Sequence, residues 1–328
     1  MAHNRSGSGR AGLRLGSRGS TLALWQAHHV QARLRVGPQV EVGIEVLHTT
    51  GDRITDVPLA MIGDRGLFTK EVDDAVLDGR VDFAVHSFKD VPTKLPPGLA
   101  LAAVLERDDP RDAFLPGPGR PPRLADLPSG ARIGTSSLRR RSLLLALRSD
   151  LAVVDLRGNL DTRLQKLADG AYDGIILALA GIRRFDREDA VGEVLAPPHW
   201  LPAAGQGALA LVAREDDADN LELLRPLDDA DTRAATTAER AFLARLEGGC
   251  QIPIGALGEV AGTTLRLRGL VASLDGRTVI RGESAGTVDL AGDTGRSLAE
   301  QLIDKGAAQV LRDVRDAPRA DVPQPPAP

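Results

Sequence analysis

The chain has 328 residues, of which 42% are apolar and 3% aromatic, and its formal net charge is −4. This length favours two to three domains with aliphatic cores, and the acidic balance argues against duplex nucleic acid as a partner. The single cysteine excludes an internal disulfide and a multi-cysteine metal site. No stretch is long and apolar enough to predict a membrane span.

The two ends of the chain differ from the rest in composition. Residues 1–12 are rich in Gly, Ser and Arg, and residues 316–328 contain five prolines. We predict a disordered leader and a disordered tail. Because the leader lacks an apolar stretch, it does not fit a secretory signal, and we predict a cytoplasmic protein without a metal site.

The first α/β unit is predicted over residues 13–107 and is completed by residues 206–226. Its elements in chain order are strand Leu13–Gly16, helix Thr21–Arg35, strand Val40–His48, helix Leu67–Leu77 and strand Val81–Val85. Ser20 suits the N-cap of the first helix. Residues 49–66 have no clear period and several glycines, so we predict a mobile loop there.

The second α/β unit is predicted over residues 108–205. Its elements are strand Arg132–Gly134, helix Leu138–Leu147, strand Ala152–Leu156, helix Arg163–Ala168 and strand Gly174–Leu179. The charged, proline-containing stretch Glu106–Arg111 suits a crossing between the units. Leu201–Gly207 suits the return crossing, after which strand Ala208–Val212 rejoins the first unit.

The pattern changes after Pro226, and a small α+β domain is predicted over residues 227–315. It begins with a helix over residues 232–246 and ends with one helix over Thr294–Leu311. Between them lie three predicted strands, Ile252–Val260, Leu265–Ser273 and Thr278–Ala285. Asp275-Gly276 is a hairpin signal between the last two strands.

Cationic residues follow the predicted strands at their carboxyl ends, where open α/β sheets bind ligands. They include Arg18, Lys89, Arg139, Arg140, Arg157, Arg163, Arg183 and Arg184. Several of them lie at helix starts, where free backbone N–H groups favour anions. Five strand ends with the same sign of charge predict an anion-binding cleft. Arg141 and Arg148 fit solvent or an acidic partner better.

Asp90 is a lone carboxylate among these cations. It is compatible with a turn before Pro92 and with a charge that stabilises a developing cation or relays a proton. His86 fits a structural hydrogen-bonding histidine. Asp52, directly after Gly51, fits a turn as well as it fits a site role. Trp25 and Trp200 are interpreted as packing residues.

Cys250 stands after two glycines and three residues before Pro253, on a predicted bent loop. Spacing alone favours a packed thiol, with an attachment point as the alternative. Glu247 lies close in sequence and no helix N-terminus precedes the thiol, so nothing local predicts an activated thiolate. A cysteine hydrolase would need a distant histidine, because none follows Cys250.

Six blocks stand in order along the chain: Gly16–Ala27, His86–Pro92, Gly134–Arg140, Leu156–Asn159 with Thr162–Leu164, Gly205–Ala208 and Glu247–Pro253. Together they resemble the porphobilinogen deaminase (hydroxymethylbilane synthase) family, over roughly residues 13–311. The resemblance implies two α/β domains like type II periplasmic binding proteins, joined by a double crossover, and a C-terminal α+β domain with a three-stranded antiparallel sheet.

The resemblance also implies an activity, a transferase reaction in tetrapyrrole (haem) biosynthesis. Four porphobilinogen molecules are condensed head to tail with loss of ammonia, on a dipyrromethane cofactor joined to Cys250 by a thioether. Asp90 would be the catalytic carboxylate, holding pyrrole nitrogens as an azafulvene cation forms. A small-molecule substrate, a monomer and no membrane or nucleic-acid partner are implied.

Further site residues are carried over from the matching blocks. The implied cofactor-binding residues besides Cys250 are Lys89, Asp90, Ser137, Arg139, Arg140 and Gly207. The implied substrate-binding residues are Arg18, Ser20, Arg65, Phe68, Arg157, Arg163, Arg184 and Gln206. The predicted mobile loop departs from the family, since Met61 stands where a lysine is common and cannot bind a carboxylate.

A non-catalytic solute-binding module with the same two-domain cleft is the alternative. It accounts for the arginines and for a hinge between two crossings. It leaves the third domain and Cys250 without a role.

Overall fold

The structure is a computed structural model, and it describes residues 12–49, 69–247 and 252–317. The described chain forms two five-stranded sheets and one three-stranded sheet. Helices cover the two larger sheets, which gives two α/β domains and a small C-terminal domain. This is the predicted fold class. The domain boundaries themselves stay a prediction.

The first sheet has the strand order β2-β1-β3-β10-β4. These strands are β1 (Leu13–Arg18), β2 (Val42–Leu47), β3 (Phe83–Ser87), β4 (Leu99–Val104) and β10 (Leu209–Arg214). β1 pairs in parallel with β2 and β3, whereas β10 is antiparallel to both β3 and β4. The helices that the structure describes in this part are α1 (Thr21–Val36), α2 (Lys70–Leu77) and α6 (Ala218–Leu224).

The second sheet repeats this arrangement with the order β7-β6-β8-β5-β9. Its strands are β5 (Asp112–Pro116), β6 (Arg132–Gly134), β7 (Ala152–Val154), β8 (Gly174–Ala178) and β9 (Glu193–Leu195). Its helices are α3 (Leu138–Leu147), α4 (Leu160–Ala168) and α5 (Leu179–Arg183). In both sheets the strand that follows a chain crossing, β10 in the first and β5 in the second, runs antiparallel to its neighbours.

The predicted double crossing is present. The chain leaves β4 for β5 through residues 105–111 and returns from β9 to β10 through residues 196–208. β10 then lies between β3 and β4, which confirms that the returning strand rejoins the first sheet. The sequence reasoning missed β4, β5 and β9, because these strands border crossings whose charge and prolines suggested linkers.

The third domain consists of an antiparallel sheet and three helices. Its elements are α7 (Ala230–Arg245), β11 (Ile254–Ala261), β12 (Thr264–Ala272), β13 (Val279–Thr287), α8 (Ala291–Asp304) and α9 (Ala307–Asp316). The predicted hairpin at Asp275-Gly276 is confirmed, with Gly276 at φ +72°. The single closing helix is wrong: Gly306 adopts φ +99° and divides it into α8 and α9.

The third domain packs on the second. Leu257, Leu270 and Ala272 of its sheet share one buried cluster with Phe114 and Trp200. Gly276 lies so close to α3 that an added Cβ would stand 2.5 Å from the Ala146 nitrogen. Any side chain there would therefore separate the hairpin from α3.

Glu239 connects the third domain to both crossings. Its carboxylate is completely buried and pairs with Arg107, at 2.6 Å between Oε1 and Nη1. It also accepts hydrogen bonds from the backbone nitrogens of Gly205 and Gly258, both at 2.7 Å. Arg107 lies in the first crossing, Gly205 in the return crossing and Gly258 in β11, so one side chain joins three segments.

Candidate active site

Three implied site residues of the first domain lie at strand ends, as predicted. Arg18 is the last residue of β1. Ser20 is the N-cap of α1, where its hydroxyl accepts from the Ala23 nitrogen at 3.3 Å. Lys89 lies in a single 3₁₀ turn, Phe88–Asp90, directly after β3, and the cap and the turn bring both segments to the same edge of the sheet.

Asp90 ends that turn and is half-buried. Its carboxylate accepts no hydrogen bond from any residue of the three described ranges. Lys89 and Arg163 both lie within electrostatic range of it. The carboxylate is therefore held near cations while its oxygens remain available to a donor.

Most of the cationic residues predicted for the site lie in the second domain. Ser137 caps α3 and accepts from the Arg140 nitrogen at 3.4 Å, which places Arg139 and Arg140 in the first turn. Arg157 follows β7, and Arg163 lies in α4, where its Nε donates to the Gly158 carbonyl at 2.8 Å. These positions follow from strand ends that lead directly into helices.

The two domains meet across this set of residues. Thr21 at the start of α1 donates a hydrogen bond to Asp161 in α4 at 3.1 Å. Arg184, directly after α5, lies over the ring of Trp25, with Cζ 5.3 Å from the ring centroid. Burial lowers the pKa of Arg184, and the nearby Asp108 opposes that shift.

Trp25 differs from the prediction that it is a packing residue. It is 37% exposed at the domain contact and stacks on His29, at 5.1 Å between ring centroids. Trp200, in contrast, is buried as predicted. Helical spacing predicted that Trp25 lies on the apolar face of α1. In the structure its ring contacts Arg184 of the second domain and is not buried in the core of the first.

His86 is buried and its Nε2 lies 3.1 Å from Asp73 Oδ1 in α2. This confirms the prediction of a structural hydrogen-bonding histidine. Arg148, predicted to face solvent or an acidic partner, pairs with Asp150 at 2.7 Å.

Gln206 and Gly207 belong to the return crossing. Gln206 is buried, and its Nε2 donates to the Pro110 carbonyl at 2.7 Å and to Asp112 Oδ1 at 2.9 Å. Gly207 adopts φ +92°, and an added Cβ would lie 2.4 Å from the Asp108 carbonyl oxygen. The two crossings thus pass each other at a distance that only glycine permits.

The cationic side chains perturb one another. Burial lowers the pKa of Lys89 to about 8; nearby Arg140 and Arg139 add to this, while Asp90 and Asp112 oppose it. Burial likewise lowers the pKa of Arg163 to about 10, with Arg140 and Arg157 contributing and Asp155 and Asp90 opposing. Lys89 of the first domain and the arginines of the second therefore share one electrostatic environment, which favours anionic ligands.

Asp112 was missed by sequence reasoning. It is completely buried, and its carboxylate accepts from Arg139 Nη1, Arg140 Nη2 and Trp200 Nε1, each at 2.7 Å. The neighbouring guanidinium groups hold its pKa far below the usual range of an aspartate. In the sequence Asp112 directly follows Pro110-Arg111, at the end of a charged stretch that was interpreted as a crossing. Nothing in that stretch distinguishes Asp112 from its charged neighbours.

Cys250, Arg65, Phe68 and Met61 lie outside the described residues. Within the described ranges, no group of three or more His, Cys, Asp or Glu side chains is arranged to hold a metal ion. None of the helices found there has both the length and the apolar character needed to cross a membrane.

Comparison with known proteins matches nearly the whole chain. Residues 13–222 match the family model of the porphobilinogen deaminase dipyromethane cofactor binding domain, and residues 234–304 match that of the porphobilinogen deaminase C-terminal domain. Among solved structures, immunogenic lipoprotein A from Vibrio vulnificus is 11% identical with a TM-score of 0.41, over 66% of this chain and 94% of that chain.

Two curated relatives are similar over almost their full length. The porphobilinogen deaminase of Syntrophomonas wolfei is 50% identical over 304 residues, which is 92% of this chain and 99% of the relative. That of Carboxydothermus hydrogenoformans is 51% identical over 302 residues, or 92% and 96% of the two chains. Both domain models match in order, and both relatives are at least 50% identical over 92% of this chain. The chain therefore belongs to the porphobilinogen deaminase family.

Proposed function

We propose that this chain is a porphobilinogen deaminase, a transferase of tetrapyrrole biosynthesis. Four porphobilinogen molecules are joined head to tail, four ammonia molecules leave, and water releases linear hydroxymethylbilane. The observation that carries the proposal is the cationic cleft around Asp90 in a chain that matches both family domains. We further propose that the protein is cytoplasmic and monomeric.

The residues of the cleft fit the carboxylate-bearing dipyrromethane that this family domain binds. Among the described residues, Arg139 donates only through Nη1, to Asp112 and to the Leu201 carbonyl, both at 2.7 Å. Its Nε and Nη2 form no hydrogen bond to any described residue. A guanidinium with a free edge suits a carboxylate bound at two points. When bound, dipyrromethane supplies the primer on which the product chain is built.

The chain's own residues have three tasks in this reaction. Arg139, Arg140 and Lys89 bind and orient cofactor carboxylates, together with Ser137 and Gly207. Asp90 accepts hydrogen bonds from pyrrole N–H groups and balances the positive charge that develops on porphobilinogen as ammonia departs. Cys250 anchors the cofactor through its sulfur.

The remaining cleft residues bind the substrate. Each porphobilinogen brings an acetate and a propionate group, so each addition places two more carboxylates in the cleft. Cations at the ends of several strands supply partners for them along the path of the growing chain. The proposed set is Arg18, Ser20, Arg65, Phe68, Arg157, Arg163, Arg184 and Gln206.

Intact mass spectrometry tests the proposal. Protein purified from cells that make porphobilinogen should be heavier than its sequence by one dipyrromethane. Cys250→Ser should remove this added mass and the activity together. A wild-type chain at its sequence mass, without deaminase activity, would leave the solute-binding module as the better account.

A further inference from the structure

Asp112 occupies a position between the arginines of α3 and the return crossing. On one side, Arg139 and Arg140 donate to its two oxygens. On the other side, Trp200 Nε1 donates at 2.7 Å and Gln206 Nε2 at 2.9 Å. Its carboxylate oxygens are therefore held from both sides and cannot turn without losing hydrogen bonds.

The two arginines differ in which guanidinium nitrogens remain without an acceptor among the described residues. Arg140 donates with all three nitrogens: Nε and Nη2 to Asp112, and Nη1 to the Ile176 carbonyl at 3.0 Å. Within the part of the chain that the structure describes, Arg139 donates only with Nη1. The contact with Asp112 thus fixes both guanidinium planes and leaves the Nε–Nη2 edge of Arg139 for another acceptor.

We propose that Asp112 is a positioning residue for cofactor binding, which holds Arg139 and Arg140 in the orientation that receives the carboxylates of dipyrromethane. The inference rests on the proposed function, since it requires that the cofactor binds at these arginines. Asp112 itself has no open lone pair and touches neither cofactor nor substrate in this scheme. Its effect is exerted through the arginines.

The rate of cofactor loading is the readout that a merely structural role would not change. Protein made without porphobilinogen is incubated with it, and the appearance of the added mass is followed over time. Asp112→Asn places an amide N–H₂ among guanidinium donors and removes the charge that orders them. We expect loading to slow by about tenfold or more, as when the partner that orients a ligand-binding group is lost.

Asp173→Asn is the matched control. Asp173 is also a buried aspartate of the second domain with two arginine partners, Arg120 and Arg132, but it precedes β8 at the opposite end of the sheet from Asp112. This variant should lose stability and load the cofactor at the wild-type rate. A folded Asp112→Asn protein that loads as fast as Asp173→Asn would overturn the inference.

Trp200→Phe provides a second test that keeps the charge of Asp112, in case Asp112→Asn does not fold. It removes one donor from the carboxylate and should slow loading by about fivefold. Wild-type loading in this variant would count against the inference. If the wild-type protein gained no mass at all, the proposed function would fail first, and the two failures are thereby distinguished.

Discussion

Lys89 and Asp90 are neighbours in one turn, and the cations around them affect the two side chains differently. The arginines of the second domain add to the desolvation that lowers the pKa of Lys89. The same cations surround a carboxylate that accepts no hydrogen bond from the described residues. Position in the sequence predicted both residues as site members, whereas their electrostatic environment depends on the second domain.

Asp90→Asn should separate cofactor binding from turnover. The amide keeps the size of the side chain but cannot balance a developing positive charge. We expect kcat to fall by about 10²-fold or more, while intact mass still shows the cofactor. Asp78→Asn, an exposed carboxylate at the end of α2, should leave kcat unchanged. Normal turnover by Asp90→Asn would show that the assigned charge-balancing role is wrong.

Lys89 should give cofactor loading an alkaline limb. With its pKa lowered from 10.5 to about 8, the ammonium is charged below pH 8 and becomes neutral above it. Because the cofactor carries carboxylates, the rate of loading, followed by intact mass, should fall by about tenfold between pH 7 and pH 9. Lys89→Gln should load slowly at every pH without this limb, whereas Lys305→Gln should keep the wild-type profile. An unchanged limb in Lys89→Gln would assign it to another group.

Much of the candidate site could be predicted at the level of single residues. Arg139 and Arg140 follow a strand and a serine cap, and this local pattern is visible in sequence. Asp112 could not be found in the same way, because its partners come from α3 and from the return crossing. Such a carboxylate is recognised only when distant segments are brought together.

At the scale of elements, α7 links the two crossings to the third domain through Glu239. This carboxylate is completely buried and pairs with Arg107, and it also receives two backbone N–H groups. Breaking such a pair leaves a buried guanidinium without its counter-charge, which is the costly case for a buried salt bridge.

Glu239→Gln should therefore lower the free energy of unfolding by about 3–5 kcal/mol, measured by urea denaturation. Glu300→Gln is the control, since Glu300 forms an exposed pair with Arg245 and should cost about 0–1 kcal/mol. Equal effects of the two substitutions would mean that burial adds nothing to the Arg107–Glu239 pair.

Elements with a clear local signal were predicted well, and those without one were not. The helix over residues 138–147 has the predicted ends because Ser137 caps it. The strands β4, β5 and β9 lie beside crossings, where charge and proline suggested linkers. In the closing helix, one glycine in a left-handed conformation ended a pattern that apolar spacing alone would continue.

At the scale of the whole molecule, the double crossing makes the two α/β domains depend on each other. The first crossing and the return crossing contact through Asp108 and Gly207, and Glu239 joins both to the third domain. The domain count followed from length and pattern. The contacts between domains did not, because they depend on side chains far apart in the sequence.

The place of β10 in the first sheet has a consequence for synthesis on the ribosome. β10 lies between β3 and β4, yet it is translated only after the whole second domain. Until it emerges, the facing edges of β3 and β4 have no partner strand, and such edges are templates for aggregation. The nascent chain therefore carries an incomplete N-terminal sheet while the second domain is translated, and this is the stage at which chaperones would act on it.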